Sequence, residues 1–146
     1  MIRYLFDTNI LLLFLRQDKR WDIIFLDFKL GDSLNLISIV SMGELHSLAL
    51  QNNWGNKRHS QIEQLRNDFI ITDINVEELV QQYAQIDAFS QDKLQDKPLG
   101  NSSRNMGKND LWIAATAAVF NLKLLTTDPD FDHLNHVFID IARVAF

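Results

Sequence analysis

The feature that most constrains the fold is the regular alternation of short apolar segments with amphipathic helical segments along the chain. Short apolar runs bounded by polar residues are typical of buried strands, whereas apolar residues spaced three and four apart are typical of helices. Strands that alternate with helices favour a parallel sheet covered on both faces. The sequence therefore predicts an α/β fold, a three-layer α/β/α sandwich around a mainly parallel sheet of four to five strands.

The predicted strands are short and lie between predicted helices. They cover residues 2–6, 34–37, 69–72, 122–125 and 137–139. Helices are predicted over residues 10–15, 21–30, 38–51, 57–67, 75–94 and 110–120, and a polar loop over residues 96–107. Thr8 or Asn9 is the predicted N-cap of the first helix, Gly31 the end of the second, and Asn109 the N-cap of the last.

Length, composition and charge limit the classes of protein that the chain can belong to. Its 146 residues fit one domain, residues 1–146, with a substantial core. The net charge of −5 disfavours a general nucleic-acid binder, but it permits an enzyme that brings cations to an acidic site. The sequence contains no cysteine, which excludes disulfides and thiolate metal sites.

No targeting or membrane segment is expected. The N-terminal residues have the pattern of a strand and lack the cleavage site of a signal peptide. The longest apolar runs, such as residues 10–15, are too short to cross a bilayer. We therefore expect a soluble cytoplasmic protein.

Asp7 stands where the first predicted strand ends, directly before Thr8 and Asn9. In open α/β sheets, ligands bind outside the carboxyl ends of the strands. A carboxylate at that position, beside Thr and Asn oxygens, could hold a hard cation such as magnesium. An Asp between a strand and a helix is also a common turn or capping residue, and for Asp7 alone this second interpretation is favoured.

Three further acids lie at comparable positions, and each also has a structural explanation. Glu44 lies one helical turn beyond the second strand, although Ser41 and Glu44 fit a capping box. Asp110 opens a buried helix, where its negative charge would favour the helix dipole. Asp128 follows the fourth strand and precedes Pro129, as in many helix starts.

The coincidence of four acids at strand ends and helix starts favours a shared metal site. Clustered carboxylates repel one another, and divalent ions with oxygen ligands offset this repulsion. A pair of such ions is a standard device for phosphodiester cleavage. Asp130 and Asp132 are weaker candidates for the metal site. His133 and His136 are expected at the surface, and no histidine base is required for this chemistry.

Four segments of the chain together resemble the PIN-domain ribonucleases, and more narrowly the VapC-type toxins of bacterial toxin–antitoxin pairs. The segments are Phe6–Asn9, Ser38–Leu45, Asn109–Ala117 and Leu124–Phe131. Their order and spacing make the match specific, and it extends over the whole chain.

The resemblance implies a PIN-like fold and a metal-dependent endoribonuclease that leaves a 5′-phosphate. The metal ligands and catalytic residues that it implies are Asp7, Glu44, Asp110 and Asp128, with Thr8, Asn9, Ser41 and Thr126 near the metal. The implied cofactor is Mg²⁺ or Mn²⁺. The implied partners are an RNA substrate, a small antitoxin and a second copy of the chain in a homodimer.

Two surface segments each have a functional and a structural interpretation. Arg104 and Lys108 are candidates for contacts with RNA phosphates, although solvated loop charges are the favoured explanation for both. The aromatic-rich segment 21–28 is a candidate dimer interface and could equally belong to the core.

Two other functions also stay open. A haloacid-dehalogenase-like phosphatase begins with a similar strand ending in Asp, but its second aspartate would stand where this chain has Asn9. A catalytically silent PIN fold could act only as a binding module, although the presence of all four acids disfavours it.

Overall fold

The computed structural model describes residues 1–100 and 102–146, and its centre is a five-stranded sheet in which all paired strands are parallel. The strands are β1 (Arg3–Phe6), β2 (Leu34–Ser38), β3 (Ile70–Thr72), β4 (Lys123–Thr126) and β5 (Asp140–Arg143). Their order across the sheet is β3-β2-β1-β4-β5. The central position of β1 places the residues that follow it between the ends of β2 and β4. The predicted parallel α/β fold is confirmed.

Helices connect the strands and cover both faces of the sheet. They are α1 (Thr8–Leu15), α2 (Lys19–Asp27), α3 (Ile39–Gln51), α4 (Asn56–Asp68), α5 (Glu77–Ser90) and α6 (Lys108–Phe120), with short 3₁₀ segments at Leu30–Asp32 and Pro129–Leu134. Within the described residues, no helix has both the length and the apolar character that crossing a membrane requires.

Two apolar cores lie on opposite faces of the sheet because successive side chains of a strand point to opposite sides. Tyr4 and Phe6 of β1 join the core formed with α1 to α4. Leu5 joins the core formed with α5 and α6. Leu5 and Phe6 are fully buried, and burial of such a side chain contributes roughly 1.5–3 kcal/mol. These contacts fix the end of β1, from which Asp7 extends.

The second helix differs from the prediction at both ends. The Asp18 side chain accepts a hydrogen bond from the Arg20 backbone N–H, so that α2 begins earlier than predicted. The helix ends earlier as well, because Lys29 adopts a φ of 52°, outside the right-handed helical region. Gly31 does not end the helix and lies in the 3₁₀ segment that follows.

The boundaries of α5 and α6 also differ from the prediction. Gly107 is the N-cap of α6, and its carbonyl accepts the first helical hydrogen bond from the Leu111 N–H. Asn109 therefore lies inside the helix and does not cap it. The fifth helix ends before its predicted C-terminus because Asp92 adopts a φ of 58°.

The prediction of a last strand over residues 137–139 is wrong. The Phe138 N–H donates to the Leu134 carbonyl, and His136 adopts a φ of 63°, so this apolar stretch forms a turn. Pairing of β5 with β4 begins only at Asp140. Phe138 and Ile139 pack against the core, whereas Val137 is exposed.

Candidate metal centre

Asp7 connects β1 to α1 and is fixed by hydrogen bonds on both carboxylate oxygens. Its Oδ1 accepts from the Thr8 backbone N–H at 2.8 Å, and its Oδ2 accepts from the Thr126 hydroxyl at 2.7 Å. Its own N–H donates to the Leu125 carbonyl at 3.0 Å, and the residue is only 4% exposed. Asp7 is therefore the N-cap of α1, and the predicted cap at Thr8 or Asn9 is wrong.

Glu44 reaches the same region from α3. The N-cap of α3 is Ser38, whose hydroxyl accepts from the Val40 N–H at 3.1 Å. The capping-box interpretation of Ser41 and Glu44 is therefore wrong, because both residues lie inside the helix. Oε1 of Glu44 instead lies 2.8 Å from the Thr8 hydroxyl.

Thr8 connects the carboxylates of Asp7 and Glu44. Its Oγ1 lies 2.9 Å from the Ser41 hydroxyl as well as 2.8 Å from Glu44. An ionised carboxylate can only accept hydrogen bonds. The Thr8 hydroxyl therefore donates to Glu44 and accepts from Ser41, while the Thr8 backbone N–H donates to Asp7.

Asp128 is connected to Asp7 through Thr126. The Thr126 hydroxyl donates to Asp7 and accepts from the Asp128 N–H at 2.9 Å. Asp128 also caps the 3₁₀ segment, since its Oδ1 accepts from the Asp130 N–H at 2.9 Å and Pro129 occupies the first position. The predicted helix start is confirmed, and the cap lies beside the Asp7 carboxylate.

Asp110 lies in the first turn of α6 and experiences the charges of the other three acids. Burial raises the pKa of Asp110 to about 7, and the charges of Asp7, Asp128, Glu44 and Asp130 add to the increase. The structure therefore brings the four predicted acids into one electrostatic neighbourhood at the carboxyl ends of β1, β2 and β4.

The pKa of Asp7 is also raised, to about 6. Burial is the main cause, and the charges of Asp128 and Glu44 act in the same direction, while hydrogen bonds from Thr126 and Thr8 act against it. A cation beside these carboxylates would offset the burial and repulsion that raise both pKa values.

The oxygen donors of this cluster suit a hard divalent ion such as Mg²⁺ or Mn²⁺. Carboxylates are accompanied by the hydroxyl groups of Thr8, Ser41 and Thr126. Across residues 1–100 and 102–146, no three acidic or histidine side chains already converge on one coordination site. The fit to a divalent ion therefore rests on donor chemistry and charge, and not on a preformed coordination shell.

The remaining predicted site residues, Asn9, Arg104 and Lys108, are all exposed. Asn9 is exposed on the first turn of α1, and Lys108 is exposed at the first position of α6. Arg104 is also exposed, and its backbone N–H donates to the Ser90 carbonyl at 2.6 Å. Arg104 and Asp130 line a cavity of about 270 Å³.

His133 is not the surface residue that the sequence predicted. Its ring is half-buried, and its Nε2 lies 2.7 Å from the Ser90 hydroxyl. Burial lowers the pKa of His133, which favours the neutral ring. Since Ser90 and His133 are distant in sequence, no local pattern indicated this contact. His136 is exposed, as predicted.

Comparison with known families gives one match that spans the cluster. A family model described as PIN domain matches residues 4–137, a range that contains all four acids. A search of curated protein sequences returns no significant match.

Solved structures with a similar fold cover nearly the whole chain. A chain of DNA-bound VapBC from Salmonella typhimurium has 19% identity and a TM-score of 0.74, with 98% of each chain covered. A chain of VapBC2 from Rickettsia felis, bound to a promoter DNA fragment, has 20% identity and a TM-score of 0.73, covering 99% of this chain and 100% of that one. VapBC-1 from nontypeable Haemophilus influenzae gives 22% identity and a TM-score of 0.69, with 98% of each chain covered.

Proposed function

The chain belongs to the PIN domain family, and from this premise we propose that it is a metal-dependent endoribonuclease and the toxin of a toxin–antitoxin pair. The observation that carries the proposal is the cluster of Asp7, Glu44, Asp110 and Asp128 at one edge of the sheet. Burial and mutual repulsion raise the pKa values of Asp7 and Asp110. A structural role alone does not require four acids to approach one another.

In this proposal Asp7 and Asp110 are the principal ligands of one or two Mg²⁺ or Mn²⁺ ions, and Glu44 and Asp128 complete the set. When bound, such an ion lowers the pKa of water and stabilises the charge that develops on a phosphate during hydrolysis. The buried position of Asp7 keeps bulk water away from its carboxylate, which strengthens its attraction for a cation.

The hydroxyl groups around the acids act as positioning groups. Thr126 holds Asp7 and the backbone of Asp128, and Thr8 holds Asp7 and Glu44. These hydrogen bonds fix the carboxylates of Asp7 and Glu44 and the backbone of Asp128 before an ion arrives, which lowers the cost of ordering the site. Ser41 fixes the Thr8 hydroxyl in turn.

The proposed substrate is RNA, cleaved to leave a 5′-phosphate. Lys108 lies within the same helical turn as Asp110, and its exposed side chain is free to approach a phosphate near the acidic cluster. Arg104 occupies the neighbouring loop beside Asp130. We assign both residues to phosphate contacts, which position the backbone without reading its sequence.

The proposed partners are a small antitoxin and a second copy of the chain. The similar solved structures are described as VapBC, a family of toxin–antitoxin systems, which supports a toxin with a cognate antitoxin. We place this proposed toxin in the cytoplasm. The exposed side of α2 supports a protein contact, because Ile23, Phe25 and Leu26 are 52%, 42% and 74% exposed. Trp21 and the C-cap residue Phe28 pack against the core, so the segment 21–28 contributes to the core, and its exposed side is the proposed interface.

The alternative of a silent binding module predicts a folded protein that binds divalent ions poorly and cleaves no RNA. The phosphatase alternative is disfavoured by membership of the PIN family and by Asn9, which stands in place of the second aspartate.

The proposal is tested by RNA cleavage with purified wild-type protein, Asp7→Asn and the control Asp68→Asn. Asp68 is an exposed residue at the end of α4, so its variant makes the same chemical change away from the cluster. We expect Mg²⁺- or Mn²⁺-dependent cleavage by the wild type and the control, its loss with a chelator, and a loss of at least about 100-fold in Asp7→Asn. Full metal-dependent cleavage by Asp7→Asn would refute the proposal.

A further inference from the structure

A groove of about 540 Å³ leads away from the acidic cluster between α3 and the start of α6. Gly43, Ser47 and Gln51 line it along one side of α3, and Asn109 and Trp112 line it from α6. The groove touches the cluster at two points, because Glu44 is part of its wall and Asn109 directly precedes Asp110. Its volume falls within the range of about 300–1,000 Å³ that is typical of small-molecule sites.

We propose, on the basis of the nuclease function above, that this groove holds one unpaired base of the RNA next to the phosphate that is cleaved. Sequence-specific recognition of RNA mostly targets single-stranded segments, whose bases can leave the stack and contact aromatic side chains. The groove would then select RNA that is unpaired at the cleavage site.

Trp112 is the residue on which the base would stack. Its ring is half-buried and packs against Tyr83, with ring centroids 4.4 Å apart and planes inclined at 43°. This contact holds the indole in place, and Trp112 is one of the residues that line the groove. Stacking of a base on an aromatic side chain contributes about 1–3 kcal/mol and is tolerant of base identity.

The polar groups of the groove suit a base better than a phosphate. Ser47, Gln51 and Asn109 are exposed and offer donors and acceptors for the edge of a base. Among the described residues that line the groove, the only charged one is the acid Glu44. A phosphate would meet no cation there, whereas a neutral base would meet an aromatic ring and amide groups.

Gly43 leaves the groove open at its α3 side. It is exposed, and no atom lies within 4 Å of the position that a Cβ would occupy. Glycine inside a helix costs about 1 kcal/mol relative to alanine. The proposed base site explains why glycine is present despite this loss of stability, because a larger side chain at position 43 would enter the space assigned to the base.

The experiment compares the cleavage of a single-stranded RNA by wild-type protein, Trp112→Ala, Trp112→Phe, Gly43→Leu and Gly43→Ala. We expect Trp112→Ala to lower kcat/KM roughly 5- to 150-fold and Trp112→Phe to retain most of the activity. Gly43→Leu should lower kcat/KM while its Tm stays at or above that of the wild type, and Gly43→Ala, which adds a single methyl group, should lower it less. The Trp112→Ala loss should not change with salt, since no phosphate contact is removed.

A scan of the substrate supplies a second measurement. The wild type should cleave RNA with a single abasic position next to the cleavage site with the same kcat/KM as Trp112→Ala cleaves intact RNA. Combining the abasic position with Trp112→Ala should lower kcat/KM little further than either change alone. Equal kcat/KM for wild type, Trp112→Ala and Gly43→Leu on RNA that the wild type cleaves would overturn the groove assignment and leave the nuclease function intact. A wild type that cleaves no RNA would instead refute the nuclease function. A change of oligomeric state in Gly43→Leu would assign the groove to a second copy of the chain and would also overturn the proposal.

Discussion

The Thr126 hydroxyl donates a hydrogen bond of 2.7 Å to Oδ2 of Asp7, and it joins the ends of two neighbouring strands that are distant in sequence. Both residues are buried, Thr126 completely and Asp7 to all but 4%. The hydrogen bond lowers the pKa of Asp7 against the burial that raises it. Thr126 therefore favours the ionised form of Asp7 and fixes its orientation, as the proposed metal site requires.

Replacement of Thr126 by valine keeps the shape of the side chain and removes the hydroxyl. We expect Thr126→Val to lose about 1–3 kcal/mol of unfolding free energy and to bind Mn²⁺ more weakly, because Asp7 loses a partner that favours its charged form. Urea unfolding and calorimetric titration measure the two effects. Thr127→Val, at the neighbouring half-exposed position, is the control and should change neither quantity substantially.

The contribution of Asp7 and Asp110 to the stability of the metal-free protein should fall as the pH rises from about 5 to 8, whereas the lowered pKa of His133 acts in the opposite direction. The native pKa values of Asp7 and Asp110, about 6 and about 7, lie above the value of 3.8 expected for an unperturbed Asp. At these two residues the native state therefore binds more protons than the unfolded state in this window, and their contribution to the unfolding free energy decreases with pH. Asp7 alone should account for about 1 kcal/mol between these pH values.

Urea unfolding in the presence of a chelator measures this dependence. The Asp7→Asn variant should show a smaller decrease, because one of the two titrating groups is removed. A pH dependence identical in wild type and Asp7→Asn would be inconsistent with a crowded and buried carboxylate cluster.

Affinity for Mn²⁺ should increase between about pH 6 and pH 8. A divalent ion competes with the protons that Asp7 and Asp110 retain near neutral pH, so its binding releases protons. Titration calorimetry in two buffers of different ionisation enthalpy measures both the affinity and the number of protons released. An affinity independent of pH, with no proton release, would place the ion away from these two acids.

The exposed side of α2 should support association of the protein. Leu26, the most exposed of its three apolar residues at 74%, contributes apolar area that is unfavourable in water. We expect Leu26→Glu to shift the molecular mass measured by light scattering from dimer to monomer, whereas Lys19→Glu on the same helix should leave it unchanged. A wild type that is monomeric at all concentrations would assign this surface to the antitoxin or to no partner.

The positions of the four acids at the sheet edge could be anticipated from sequence because strand ends are marked by local patterns. Asp7 directly follows β1, Asp128 lies two residues beyond the end of β4, and parallel strands bring their carboxyl ends to one edge. That residues 1–146 form a single domain remains a prediction from length and composition.

The contacts that organise the site could not be anticipated, because they join residues far apart in the chain. Glu44 fits a local capping box with Ser41 in sequence. In the structure Ser38 is the N-cap of α3, so the Glu44 side chain does not cap the helix and instead contacts Thr8. The last strand was misplaced for a similar reason, since residues 137–139 are apolar enough for a strand and backbone hydrogen bonding to Leu134 selects a turn.

The most direct test of the central claim is the rate of RNA cleavage by Asp110→Asn relative to wild type, at saturating Mn²⁺ and about pH 8. Asparagine preserves the size of the side chain and removes one negative charge from the cluster. The account predicts that the wild type cleaves RNA to 5′-phosphate products and that the Asp110→Asn rate is at least about 100-fold lower, with the fold preserved by circular dichroism. An Asp110→Asn rate within about twofold of the wild-type rate would contradict it.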